Sequence, residues 1–542
     1  MPRPPKDKLQ YSYLTKEDKE NLIKQRYDKS NKYEENIAIL VKKYGVAERN
    51  IRIWVENAKQ ELGIKQTPKT IEDTDSFKQA QKRIHKKSQY YIITWCQNET
   101  PINKAFWDNI IAYKDFLKAE LLVIAGRYKN PTSVFQDGQR EHWDSNVLPY
   151  LDANRHDIHK QLTILSDVKT QPTASNPLVG FESITREQSC ILGHPKMHLK
   201  AVPVMKGYTH KIILTTGAVS EKNYTDSKAG KKGDFHHHLG FVIVEIRDEE
   251  IFYTRQVQAN TSDGSFSDLF FEIKDKKVRP ITQAKGLVLG DIHTSYIDKE
   301  VLKATYKLTD SIFFQNIALH DVFNCDYVSH HNDKNPFKKI QMIQDGKFSL
   351  EKELRDTYNF LDDFDKKTPY SMKYIVYSNH NEHLDKYVQQ SKWKDDLFNA
   401  PKYFELANII IKERPENGLF AYLVEKNVMG SYKCLAIDEK TKFGVWEISQ
   451  HGHVGVNGSK GTPTQFSKLN TKNITGHTHS PFRHDGHIGV GTSTVMDMGY
   501  NKGGFSSWLN AHAIVHNDDK AQHIIIIKGD FTTMWNLIKT KK

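Results

Sequence analysis

Cysteine is scarce in this chain. The four present (Cys96, Cys190, Cys325, Cys434) lie far apart and form no CxxC pair. That excludes a disulfide scaffold and a cysteine-ligated zinc site, and it fits a reducing compartment. Long apolar runs are also missing. The longest aliphatic stretch is Ile524–Ile527, far below the roughly 20 residues that a membrane span needs. The opening "MPRPPKDKLQ" has no apolar core of the signal-peptide kind, so export is not expected and a cytoplasmic protein is. With 38% hydrophobic residues and a mean hydropathy of −0.64, the composition is that of a globular protein. At 542 residues, two or three domains are expected.

Charge is present in excess and unevenly placed. Of the net +12, +8 falls between Met1 and Tyr90, where 21 Lys/Arg face 13 Asp/Glu. Such a basic end suits a polyanion, nucleic acid first. Within it, "ENIAILVKKYGVAERNIRIWVENAKQELGI" puts Ile37, Leu40, Val41 and Tyr44 on one helical face. After Gly45, a second face carries Ile51, Trp54, Val55, Ala58 and Leu62. Two amphipathic helices about a glycine turn resemble a helix-turn-helix, with Arg49, Asn50 and Arg52 as candidate DNA contacts. Plain helical packing explains the same pattern.

A small helical segment is therefore expected over residues 1–65, and a polar linker over 66–89. From Tyr90, "YYIITWCQ", an amphipathic helix and "ELLVIAG" read as a βαβ-like unit. It opens an α/β accessory domain (90–285) that goes on with strands such as "HKIILTTGAV" and "LGFVIVEI". The run His236–His238 in "GDFHHHLG" cannot ligate one ion from regular structure, because successive strand side chains face opposite ways.

The last 257 residues hold 15 of the 25 histidines, several at the ends of apolar runs. "GLVLGDIH" delivers Asp291 and His293, and "SIFFQNIALHD" delivers Asp321. "MKYIVYSNH" ends at Asn379 and His380, and "FGVWEISQHGH" at His451 and His453. "NITGHTH" then brings His477 and His479, two residues apart so that both can leave one side of a strand end. Two-metal hydrolysis needs a bridging carboxylate with neutral N and O donors around it, and Asp, His and Asn supply that mixture without thiolates.

The ordered series resembles the signature of the calcineurin-like metallophosphoesterases, which include the Mre11/SbcD nucleases and many phosphatases. It covers Gly286 to Lys542. The resemblance implies an α/β fold whose C-terminal part is a four-layer β-sandwich flanked by helices. It assigns Asp291, His293, Asp321 and His479 to one ion, and Asp321, Asn379, His451 and His477 to the other, with Asp321 bridging. His380 becomes the acid that protonates the leaving oxygen, while His453 and Lys460 become candidate phosphate contacts. Two divalent ions are implied, Mn²⁺ foremost, with Fe, Zn or Mg as alternatives. The pattern departs from the family at His320, where glycine is usual, and at Ser378 and Asn381. His484 and His487 have no slot in it and read as ordinary loop residues.

Across the whole chain, the basic start, "QNETP…RYKNPTS" and this C-terminal series resemble the first-step-transfer (pre-early) DNases of tailed bacteriophages. That likeness implies a DNA endonuclease or exonuclease acting on double-stranded host DNA in the host cytoplasm. Related nucleases often form homo-oligomers. A phosphodiesterase or phosphatase for small nucleotides or phosphoproteins is the alternative, and a DNA-binding regulator with a structural metal is the second.

Overall fold

The computed structural model describes residues 11–26, 33–62, 87–128, 143–328, 335–499 and 501–539. They fall into two units, one holding the residues up to Leu62 and the other those from Lys87 onward. Most of the linker expected over 66–89 lies outside the described residues. No helix among those described is long and apolar enough to cross a membrane.

The first unit has three helices, α1 (Lys16–Arg26), α2 (Tyr33–Tyr44) and α3 (Glu48–Glu61). Leu22 of α1 packs with Ile37 and Leu40 of α2 and with Ile51, Trp54, Val55 and Ala58 of α3. The i, i+3, i+4, i+7 spacing on α3 is the stripe the sequence predicts. Gly45 ends α2 with φ +65°, and its N–H donates to Val41 O at 2.9 Å. A left-handed residue of this kind closes a helix most cheaply when it is glycine.

The second unit is mixed α/β with four sheets. The predicted βαβ unit is present: Tyr90–Gln97 pairs in parallel with Glu120–Gly126, and helix Lys104–Leu117 joins them. These strands sit in a five-stranded sheet with Gly240–Ile246, Phe252–Gln258 and Leu151–Asp152.

Two larger sheets position the site. The six-stranded one runs Tyr432–Cys434, Met372–Ile375, Phe313–Leu319, Gln283–Val288, Asn510–Val515, Ala521–Ile526. Its first four strands are parallel, so their carboxyl ends open on the same side. That edge is where open α/β sheets bind ligands. A ten-stranded sheet faces it across one core, to which Val288, Ala318, Ala513 and Val515 contribute from one side and Phe443, Trp446, Ile474 and Ile488 from the other.

The boundary expected at 285/286 does not separate two units. Phe482–His484 pairs antiparallel with Leu199–Val202, so the ten-stranded sheet is built from both halves. A buried ion network does the same. Arg255 donates to Asp268 from Nε (2.7 Å) and Nη2 (3.0 Å), and from Nη1 to Glu245. Glu245 also accepts from the Thr532 and Thr533 hydroxyls at 3.0 and 2.8 Å. Asp268 accepts from Tyr113 (2.7 Å) and Gln522 (2.9 Å).

Candidate metal centre

Five loops that follow strands supply the clustered residues. Gln283–Val288 leads to Asp291 and His293, Phe313–Leu319 to His320 and Asp321, and Met372–Ile375 to Asn379 and His380. Trp446–Glu447 precedes His451, and Lys472–Thr475 precedes His477 and His479. The strands stop short of these residues, so strand alternation does not aim the side chains. Left-handed backbone does: φ is +42° at His293, +44° at Asp321, +75° at His477 and +55° at His479. Non-glycine residues held there cost about 1–3 kcal/mol each and concentrate at functional sites. Gly476 is required by space, since a Cβ there would stand 2.2 Å from Asp291 Oδ1.

Asp291, His293, Asp321 and His479 come together, with one ligand atom from each within 4.8 Å of the others. His293 Nε2 and His479 Nε2 meet at 3.1 Å. His479 Nε2 lies 3.1 Å from Asp291 Oδ2, and His293 Nε2 lies 3.6 Å from Asp321 Oδ2. These are the four residues assigned to one ion on the sequence. The other oxygen of each aspartate, Oδ1, is buried and accepts no hydrogen bond.

The second set gathers beside it. His451 Nε2 is 3.1 Å from Asp321 Oδ2. The His477 ring lies 5.3 Å from the His451 ring, and its backbone N–H donates to Asp291 Oδ2 at 2.8 Å. Asn379 begins helix Asn379–Gln389 behind the N-cap Ser378, and its Oδ1 is buried without a partner. His380 follows, with its ring 4.6 Å from that of His293 and its Nδ1–H donating to Asn324 O at 2.8 Å.

One member was missed on the sequence. His320 forms a ligand-spaced group with Asp291 and His451, and its Nδ1 is 3.3 Å from His451 Nδ1. Adjacent residues of a strand face opposite ways, but the turn at Asp321 lets both His320 and Asp321 point inward. The available signal was that His320 stands where the pattern read on the sequence expected glycine.

Electrostatics follow from burial of opposite charges. Burial acts to raise the Asp321 pKa, yet the imidazoles of His451 and His380 outweigh it and hold the carboxyl well below its usual range. Asp291 is lowered too, by His451 and His479 against burial. Burial brings His293 down to about 3 and His320 and His477 to about 4. His451 moves the other way, because Asp321 and Asp291 outweigh its burial. A buried pair of carboxylates draws positive charge to itself. The unpartnered Asp and Asn oxygens, with the imidazoles of His293, His320 and His477 at low proton affinity, form a donor set that fits divalent cations.

The remaining candidates lie at the rim or apart. His453 stands 6.1 Å from the His477 ring and 3.9 Å from Glu382 Oε1, and Lys460 is exposed on the glycine-rich loop. On α3, Arg49 and Asn50 are exposed, while Arg52 donates to Glu48 through Nε at 3.1 Å. His487 is a buried strand residue bonded to Thr475 Oγ1 at 2.9 Å, not a loop residue. His237 and His238 turn to Tyr224 and Gln258, so the histidine run diverges.

Protein A1 of Escherichia phage T5 is 30% identical to the chain over 468 residues, which are 82% of this chain and 83% of that protein. No family model matches the chain. No solved structure matches it.

Proposed function

The chain belongs to the family of Protein A1 of Escherichia phage T5, and for this phage-related chain we propose, from its clustered Asp and His residues, a metal-dependent DNase. The observation that carries the reading is the Asp291–His293–Asp321–His479 cluster, whose two aspartates keep unpartnered buried oxygens. The two sheets that meet across one core beside it are read as the calcineurin-like metallophosphoesterase sandwich. One ion would be held by those four residues and a second by Asp321, Asn379, His451 and His477, with His320 adjoining. When bound, such ions supply positive charge for a phosphodiester and lower the pKa of the attacking water.

The chain's own residues do the rest. Asp321 touches both sets of imidazoles and is the bridge between them. His380 is fixed through Nδ1 to Asn324 O, which leaves Nε2 to carry the proton that the leaving oxygen takes up. His453, beside His477, and Lys460, exposed on the glycine-rich loop, would meet phosphate oxygens. The basic N-terminal part, with Arg49 and Asn50 exposed on α3, would add sequence-independent affinity for the DNA backbone. Its family places the protein with bacteriophage proteins, and host DNA in the infected cell is the proposed target.

The test is plasmid DNA with Mn²⁺, wild type beside Asp321→Asn. Wild type is expected to degrade DNA, and the variant and a chelator to stop it. Intact DNA alongside hydrolysis of a small aryl phosphodiester would replace the DNase with the small-diester enzyme.

A further inference from the structure

Away from the Asp321 cluster, a second knot of histidines closes on one carboxylate. Asp485 occupies the turn between strands Phe482–His484 and His487–Gly489, with φ +53°. Its Oδ1 lies 3.1 Å from His198 Nε2 and 3.2 Å from His236 Nδ1. Its Oδ2 lies 3.5 Å from His484 Nδ1, and the rings of His198 and His484 are 4.4 Å apart. We propose that His198, His236, His484 and Asp485 form a structural binding site for a tetrahedral divalent ion of the zinc type.

Three arguments support it. Three imidazoles and a carboxylate match the nitrogen and oxygen donors that Zn²⁺ takes. The ligand atoms of His198, His484 and Asp485 already lie within 4.8 Å of one another. The hydrogen bonding is also unfinished without an ion. His484 Nδ1 is buried, and its 3.5 Å separation from Asp485 leaves it with no hydrogen bond. Lys196, which acts on Asp485 at longer range, places its ammonium on Ser175 O at 3.3 Å.

The location explains what the ion does. His198 immediately precedes strand Leu199–Val202, and His236 caps helix Lys228–Phe235. His484 and Asp485 belong to the hairpin that pairs with Leu199–Val202. An ion here pins the seam at which the two halves of the chain join their common sheet. The assignment does not depend on the DNase reading, and the two share no residue.

The experiment uses the full chain, stripped with a chelator and reloaded with Zn²⁺. Bound zinc, zinc affinity and melting temperature are compared among wild type, His484→Gln, His236→Gln and Asp321→Asn. Both glutamine variants are expected to lose zinc at this site. Each should weaken that affinity by more than the roughly 10–100-fold that losing an outer-shell partner costs. Neither should keep the zinc-dependent rise in melting temperature that wild type and Asp321→Asn show. His236 is a partly exposed helix-capping residue, so His236→Gln serves if His484→Gln fails to fold. Equal zinc content and equal zinc-dependent melting in wild type and the glutamine variants overturn the site. So does zinc that is lost only in Asp321→Asn.

Discussion

Replacing Arg255 by methionine would remove the only cation from a buried trio. Arg255, Glu245 and Asp268 are all fully enclosed, and the guanidinium donates to both carboxylates. Breaking a buried pair by deleting one partner costs about 3–5 kcal/mol. The lower end applies here, because Asp268 keeps Tyr113 and Gln522, and Glu245 keeps Thr532 and Thr533. At about 2 °C or less per kcal/mol for a unit of this size, the expected fall in melting temperature is about 3–6 °C. The fall should depend on pH. In wild type, Arg255 overcomes burial and holds the Asp268 pKa below its usual value, a stabilisation present at neutral pH and lost as pH falls through that lowered pKa. Without Arg255, burial dominates and Asp268 is raised instead, so the variant loses stability as pH rises. The deficit against wild type should therefore be greater at pH 8 than at pH 5. Differential scanning fluorimetry at both values measures it. A variant that melts within about 1 °C of wild type at pH 8 would refute the reasoning.

Other expectations concern the centre and its surroundings. His380→Asn should keep the metal content of wild type while lowering kcat by roughly 10²–10⁴-fold, measured by elemental analysis and a diester assay. Gly476→Ala drives a Cβ against Asp291 Oδ1 at 2.2 Å, so metal affinity should drop, with about 1–3 kcal/mol of overpacking strain visible in melting. Glu353 is lifted to about 7 by burial and by Asp326, a stabilisation complete at low pH and lost as pH rises through that value. Glu353→Gln should accordingly match wild type below about pH 4 and melt higher at pH 8, by an amount bounded at about 3 kcal/mol.

The series Asp291, His293, Asp321, His451, His477, His479 was legible because each block follows an apolar run, and parallel strands bring such ends together. The means of aiming was not legible: φ at His477 and His479 is left-handed, where alternation along a strand was expected. His320 was passed over for the same reason, since neighbours on a regular strand do not share a face. The βαβ unit and the α2–α3 pair were legible because their periodicity is local. The seam between Leu199–Val202 and Phe482–His484 was not, since nothing near either strand specifies so distant a partner. The His198–His236–His484–Asp485 knot depends on that seam and was hidden with it.

That seam also sets a clock for synthesis. Leu199 is paired by Arg483, made 284 positions later. At roughly 5–20 residues per second, the nascent strand waits about 15–60 s with one edge open. An open edge invites pairing with other chains, and an outward lysine is a common guard against it. Lys200, exposed in the middle of the otherwise apolar Leu199–Val202, stands where such a guard is needed. In the finished fold the same lysine meets Glu182 at 2.7 Å, so one side chain suits both the open edge and the closed surface.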